Sequence, residues 1–152
     1  MDDFQEYIKQ DILNPKYLFH GTAHVFDKLE CRHSTDINNR NNEDNAVFLT
    51  SSFYIAAAYA FSRTLKEINE DYSFSMNHDG SFPVMTFEVD NLPDDLCGYI
   101  YAFDKDESMI KDSYKYTTQY RCHHDLTPQK IIKVFYKDFE ECFERENYKK
   151  SK

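Results

Sequence analysis

The chain has 152 residues, and 16% of them are aromatic, which fits a single domain spanning residues 1–152 with one aromatic-rich core. Its 27 acidic and 18 basic residues give a formal charge of -9, which opposes attraction to phosphate backbones and anionic lipid and disfavours a nucleic-acid partner. No apolar run reaches the ~20 residues that cross a bilayer, and the acidic start MDDFQEYIKQ lacks the pattern of a signal peptide, so we expect a cytoplasmic protein without membrane contact.

The chain begins with a helical pattern. Phe4, Ile8 and Ile12 have the four-residue spacing of an apolar helical stripe. We therefore expect a first helix over residues 2–13, which ends before the proline that follows.

A short strand over residues 17–19 leads directly into His20 and Gly21. A strand that ends in this way delivers a polar side chain to a cleft, and glycine leaves room for a ligand to approach the backbone. A turn glycine beside a solvated histidine explains the same residues without a ligand. The almost wholly polar residues 32–45 then predict an exposed loop, a candidate lid.

A strand, a cap and a helix follow in order. Apolar residues 47–49 predict a short buried strand, and Ser51 or Ser52 can cap the helix that the strong helix formers of residues 55–68 predict. Tyr59 falls within this helix, where it can also serve simply as an aromatic core residue.

The second half of the chain reads as mostly β. Helices and strands are thus segregated along the chain, which predicts an α+β fold with mainly antiparallel pairing. The predicted elements are strands at 71–76 and 83–90 joined by a turn at 78–80, a strand at 98–104, an extended segment at 115–125, a strand at 130–136 and a terminal helix at 137–147.

Cysteine spacing does not predict a metal site or a redox motif. The four cysteines contain no Cys-x-x-Cys pair, so we expect reduced thiols. Cys122, His123 and His124 are consecutive, but neighbouring strand residues point to opposite faces and cannot all reach one ion.

Three ordered stretches of the chain resemble one family. LFHGT, VFLTSSFYIAAAYA and TTQYRCHHDLTPQKIIKV resemble the three motifs of the ADP-ribosyltransferase superfamily, in the poly(ADP-ribose) polymerase and diphtheria-toxin branch that carries a His-Tyr-Glu triad. The resemblance implies an ADP-ribosyltransferase-like split β-sandwich of mainly antiparallel strands with flanking helices. It also implies NAD⁺ as substrate.

The resemblance assigns roles to individual residues. His20 would bind a ribose hydroxyl, the backbone of Gly21 would pair with the nicotinamide carboxamide, and Tyr59 and Phe48 would lie against the two faces of the nicotinamide ring. A family serine that binds the carboxamide falls at Ala56, so Thr50, Ser51 or Ser52 would have to replace it. The implied catalytic residues are His20, Tyr59 and Gln119, and the implied cofactor-binding residues are His20, Gly21, Thr22, Phe48, Ser51 and Tyr59.

Gln119 is the main departure from the family, because it stands where the family's glutamate is expected. A glutamine can orient the ribose 2′-hydroxyl, but it cannot stabilise the positive charge that develops as the glycosidic bond breaks. Asp106, Glu107 or Asp125 would supply a carboxylate if the third motif were displaced.

These residues support more than one function. The first hypothesis is a mono-ADP-ribosyltransferase that moves ADP-ribose from NAD⁺ to an unknown acceptor: a protein, a nucleic acid or a small molecule. The second is a catalytically inactive module of the same fold that binds NAD⁺, ADP-ribose or a protein partner. An unrelated α+β domain that interacts through its acidic surface is a third.

Overall fold

A computed structural model describes residues 4–25, 46–68, 73–75, 84–86, 95–111, 118–139 and 144–146. Within these ranges the chain forms short helices and strands around one long helix. They are α1 Gln5–Ile8, β1 Tyr17–Thr22, β2 Val47–Thr50, α2 Phe53–Ile68, β3 Ser73–Ser75, β4 Val84–Thr86, β5 Cys97–Asp104, β6 Met109–Lys111, β7 Gln119–Cys122, β8 Lys130–Phe135, α3 Tyr136–Phe139 and β9 Glu144–Glu146.

The described strands form two sheets. Six strands form an antiparallel sheet in the order β6-β7-β2-β1-β5-β8, and three form a small sheet in the order β3-β4-β9, in which β4 and β9 are parallel. The predicted α+β class with mainly antiparallel pairing is confirmed. The predicted loop at 32–45 and turn at 78–80 lie outside the described residues.

The large sheet buries both of its faces. One face packs against α2, and aromatic rings fill much of the space, with the ring centroids of Phe19 and Phe53 5.2 Å apart in an edge-to-face arrangement. The opposite face carries a second buried cluster. Its members are Leu18, Val47, Leu49, Tyr101, Phe103, Met109, Tyr120, Cys122 and Leu126.

Helix α2 begins where the sequence predicts, with Ser52 as its cap. The Ser52 hydroxyl accepts a hydrogen bond from the backbone N–H of Ile55 at 3.2 Å, and its carbonyl accepts one from Ala56. Thr50 contributes to the same turn, because its hydroxyl accepts a bond from the Ser52 N–H.

Two glycines let α2 lie very close to the sheet. A Cβ atom on Gly21 would stand 1.8 Å from the carbonyl oxygen of Ala56, and one on Gly98 would stand 2.4 Å from that of Ala60. Ala56 and Ala60 are fully buried and lie one helical turn apart. The helix therefore crosses β1 and β5 at a distance that only residues without a side chain allow.

The first helix is shorter than predicted. The apolar spacing predicts residues 2–13, whereas α1 spans Gln5–Ile8 and residues 1–3 lie outside the described ranges. The side chain of Asp11 explains part of the difference, because it accepts a bond from the Leu13 N–H and holds a turn where the helix would continue.

Gln10 explains the rest. Its side-chain oxygen accepts bonds from the backbone N–H groups of Lys16 and Tyr17, and its side-chain nitrogen donates to the carbonyls of Tyr17 and Ser51. β2 ends at Thr50 and does not reach Tyr17. The Gln10 side-chain amide instead bonds the N–H and C=O of Tyr17, in the way that the backbone of a longer β2 would. We refer to these four hydrogen bonds as the Gln10 clamp.

The terminal helix is also shorter than predicted. Instead of a helix over 137–147, the structure has α3 at Tyr136–Phe139 and β9 at Glu144–Glu146. β9 pairs with β4, and such long-range pairing overrides local helix propensity. The edge strand β6 was not predicted, because only three residues form it.

Candidate functional site

The strands β1 and β2 separate at the position of the His-Gly pair. Their pairing is limited to Phe19 and Thr50, although β1 continues to Thr22 and remains paired with β5 throughout. We call the region bounded by His20, Gly21 and Phe48 the β1–β2 gap.

The backbone of Gly21 is directed toward this gap. The Gln10 clamp binds both the N–H and the C=O of Tyr17, so these groups point to the β2 side of β1. Backbone direction alternates along an antiparallel strand, and the N–H and C=O of Gly21 therefore point to the same side. A donor and an acceptor thus face the β1–β2 gap where the strands part.

His20 spans the gap with its side chain. Its Nδ1 lies 2.8 Å from the carbonyl oxygen of Phe48, and because a carbonyl only accepts, Nδ1 carries the proton of this bond. Burial lowers the pKa of His20, although the bond to Phe48 opposes this shift. The ring is therefore neutral at pH 7, and its Nε2 is an acceptor. His20 is partly buried and is not a solvated turn residue.

The lowered pKa of His20 predicts a pH dependence of stability. The folded chain disfavours the protonated ring, so the unfolded chain binds more protons below the ordinary histidine pKa of 6.5. The free energy of unfolding is expected to be complete above this pH and to fall as the pH decreases toward the lower folded-state pKa. Urea unfolding between pH 7.5 and pH 5 measures this loss.

His20→Gln provides the control for this prediction, because the glutamine amide can still donate to Phe48 but does not titrate. The variant is expected to lose less stability on acidification than the wild type, since all other titrating groups are unchanged. Identical pH profiles for the two proteins would contradict the assignment of a neutral, buried His20.

Tyr59 lies on the exposed side of α2, the helix that crosses β1 at Gly21. Its side chain is 45% exposed, so it is not the aromatic core residue of the alternative interpretation. Its neighbours on the helix include Ala56 and Ala60, which contact Gly21. In the next turn, a guanidinium nitrogen of Arg63 lies 3.5 Å from Nε2 of His24. The exposed edge of α2 therefore runs along the end of β1.

His20 and Tyr59 do not share a face of the sheet. His20 pairs with Tyr101 on β5, and its ring lies edge-on to the Tyr101 ring, on the face opposite α2. Gly21, the next residue of β1, faces α2. The two predicted site residues thus belong to opposite faces of the sheet, near a point where β1 lacks β2 as a neighbour.

Phe48 contacts a cationic side chain on β7, the strand next to β2. It pairs across β2 and β7 with Arg121, whose guanidinium carbon lies 5.4 Å from the centroid of the half-buried Phe48 ring. This distance is within the range of a cation–π contact. The sequence interpretation missed Arg121.

Gln119 is the first residue of the same strand, β7. It pairs with Thr50, at the level of Phe19, whereas Arg121 is at the level of Phe48. Alternation along a strand places Gln119 and Arg121 on the same face of the sheet, so the sequence alone allows either to face the gap. The strand register decides that Arg121 is the residue next to Phe48.

Ser51 and Thr22 make local contacts. Ser51 is fully buried, and its hydroxyl donates to the carbonyl of Ile12 at 2.7 Å, so the contact that it makes joins β2 to the segment after α1. The Thr22 hydroxyl accepts a bond from the His24 N–H at the end of β1.

The alternative carboxylates lie before β6 and after β7. Asp106 and Glu107 are exposed residues in the turn before β6, which lies two strands away from β2, and Asp125 is an exposed residue that follows β7. The pKa of Asp106 is lowered, chiefly because it accepts a hydrogen bond from the Ser108 hydroxyl. This contact holds the Asp106 carboxylate in the turn before β6.

The part of the chain that the structure describes contains no group of three His, Cys, Asp or Glu side chains placed to hold a metal ion. Cys122 is buried, whereas His123 and His124 are exposed. In the same residues no helix has both the length and the apolar character that spanning a membrane requires.

Comparison with known proteins gives no family for the chain: no family model, curated protein or solved structure matches it.

Proposed function

We propose that the chain is a mono-ADP-ribosyltransferase-like protein that binds NAD⁺ at the β1–β2 gap and transfers ADP-ribose to an acceptor such as a protein. The separation of β1 from β2 at Gly21 is the observation that carries the proposal. There the backbone donor and acceptor of Gly21 face the gap, and His20, whose Nε2 is an acceptor, bonds across it to Phe48 through Nδ1. The nicotinamide carboxamide and the ribose hydroxyls of NAD⁺ are complementary to these groups.

Each side chain has a role in this proposal. Nε2 of His20 accepts a hydrogen bond from a ribose hydroxyl, because Nδ1 is held by the Phe48 carbonyl. The nicotinamide ring enters between Tyr59 on α2 and Phe48 on β2, where aromatic rings stack on a flat cation. Gln119 orients the ribose from the third strand.

The charges around the gap support slow transfer. Cleavage of the glycosidic bond leaves an oxocarbenium-like ribose, which a nearby carboxylate would stabilise. Gln119 is neutral, Arg121 is positive, and the three candidate carboxylates lie in the segments before β6 and after β7. Loss of one such electrostatic group typically reduces the rate by about 10²- to 10³-fold. We therefore propose transfer of single units and not chain elongation.

A second candidate function is binding of NAD⁺ or ADP-ribose without cleavage. Arg121 favours it, because a cation beside Phe48 opposes the developing positive charge of the transition state. Release of nicotinamide from NAD⁺ by the purified protein, with and without cell lysate as a source of acceptor, distinguishes the two candidates. Release above the uncatalysed rate supports transfer, and binding without release supports the second candidate.

Tyr59→Ala tests the shared binding step. NAD⁺ or ADP-ribose at 100 times its dissociation constant is expected to stabilise the wild type by about 2.7 kcal/mol. The variant is expected to lose most of the stabilisation by NAD⁺, because the proposal stacks the nicotinamide ring on Tyr59, whose side chain is 45% exposed on α2. Thermal unfolding with and without ligand measures the difference.

Tyr54→Ala is the matched control, because Tyr54 packs against the core from the same helix. It is expected to lower the starting Tm but to keep the ligand-induced shift. A wild type that millimolar ligand does not stabilise would contradict the proposed function. A full shift in Tyr59→Ala would move the site away from α2.

A further inference from the structure

The Phe48 ring of the β1–β2 gap already interacts with a cation of the chain itself. The guanidinium of Arg121 lies 5.4 Å from the ring centroid, and the pair is fixed by the register of β2 with β7, which pairs Phe48 with Arg121 directly. Both residues are half-buried, so solvent screens the guanidinium less than it would at a fully exposed position.

This contact has opposite effects on the two parts of NAD⁺. The nicotinamide ring carries a positive charge, so stacking it on Phe48 would bring two cations to one ring or require Arg121 to leave it. The diphosphate is attracted by the same guanidinium, which suits paired phosphate oxygens. ADP-ribose keeps the diphosphate and lacks the cationic ring.

The net charge of the protein makes a local cation important. A formal charge of -9 opposes the approach of any diphosphate, so a cation at the site has to offset the overall repulsion. Arg121 lies on the α2-facing side of the sheet, in line with Phe48 and Gln119. It is therefore placed to act on a ligand that enters the β1–β2 gap.

We propose that Arg121 makes the β1–β2 gap selective for ADP-ribose groups without nicotinamide, so that free or protein-linked ADP-ribose binds more tightly than NAD⁺. The inference rests on the proposed function, because it assumes that the gap binds this class of dinucleotide. Within that function, Arg121 determines which form of the ligand occupies the site.

Calorimetric titration with ADP-ribose, NAD⁺ and NADH tests the proposal. NADH has the size of NAD⁺ with a neutral ring, so it separates charge from bulk. The wild type is expected to bind ADP-ribose at least about tenfold more tightly than NAD⁺, with NADH between them. Arg121→Gln is expected to reduce the ratio of ADP-ribose to NAD⁺ affinity to about twofold.

Two further variants complete the experiment. Lys111→Gln removes the same charge from the opposite face of the sheet, one strand away, and is expected to keep the wild-type ratio. Arg121→Lys keeps the positive charge and is expected to keep most of the preference. It also provides a folded comparison if Arg121→Gln is unstable.

Equal affinities of the wild type for ADP-ribose and NAD⁺, or an unchanged ratio in Arg121→Gln, would overturn the inference and leave the proposed function standing. Absence of binding by all three ligands to the wild type would overturn the proposed function and the inference with it.

Discussion

Gly21→Ala is expected to destabilise the folded protein by about 3 kcal/mol or more, at or above the usual cost of overpacking. The added Cβ would stand 1.8 Å from the Ala56 carbonyl oxygen and 2.9 Å from the Ala60 nitrogen. Both atoms belong to the backbone of α2, so no side-chain rotation can relieve the clash, and the helix has to move away from β1. Urea denaturation of the wild type and the variant measures the loss.

Ala23→Ser is a control for Gly21→Ala, since it adds one atom at a half-buried position just beyond β1. Its effect on the free energy of unfolding is expected to stay within about 0.5 kcal/mol. If Gly21→Ala were equally mild, the close approach of α2 to β1 would be wrong. The helix that carries Tyr59 would then have no fixed position over Gly21.

Gln10→Ala is expected to cost about 2–3 kcal/mol of stability, because it removes all four hydrogen bonds of the Gln10 clamp at once. The N–H and C=O of Tyr17 and the carbonyl of Ser51 would lose partners in a partly buried region. The start of β1 and the end of β2 would also lose the side chain that links them, because Gln10 donates to both Tyr17 and Ser51. Chemical denaturation measures the stability, and ligand titration measures the effect on the gap.

Gln129→Ala is a matched control for the clamp. The side-chain amide of Gln129 also makes two hydrogen bonds to one residue: it accepts from the backbone N–H of Asp104 and donates to the Asp104 carboxylate. Gln129 is exposed, so water can replace both bonds. Its loss is expected to cost less than about 1 kcal/mol. Equal effects of the two substitutions would show that the clamp is no more than a surface contact.

The sequence was sufficient for the elements whose signals are local. The helix-forming run after Ser52 predicts α2, and the alternating or apolar runs predict β2, β5 and β8, because side-chain periodicity and capping act over a few residues. The end of α1 was not predictable in this way. It depends on Gln10, whose partners Tyr17 and Ser51 are known only from the folded structure.

In the candidate site, too, local sequence patterns predict some features and long-range contacts decide others. The sequence interpretation took Gly21 as room for a ligand at the backbone, whereas the structure shows the backbone of α2 packed against this residue. The choice between Gln119 and Arg121 depends on the register of β7 against β2, and a strand of alternating polar residues does not specify its register strongly. Short-range patterns therefore locate the strand but not the residue that faces Phe48.

The order of strands in the large sheet has a consequence for the rate at which the protein folds. Phe19 pairs with Ala102 and Thr50 pairs with Gln119, so the strands on either side of β1 and β2 come from distant parts of the chain. Forming such contacts requires large loops to close, and the entropy cost of closure comes before the contacts stabilise the chain. Domains dominated by such contacts fold on the order of milliseconds to seconds. β1 is flanked by β5 and β2 is flanked by β7, so the two sides of the β1–β2 gap are fixed only after both distant pairings have formed. Ligand binding during refolding is therefore expected to follow the slow phase of sheet formation and not to precede it.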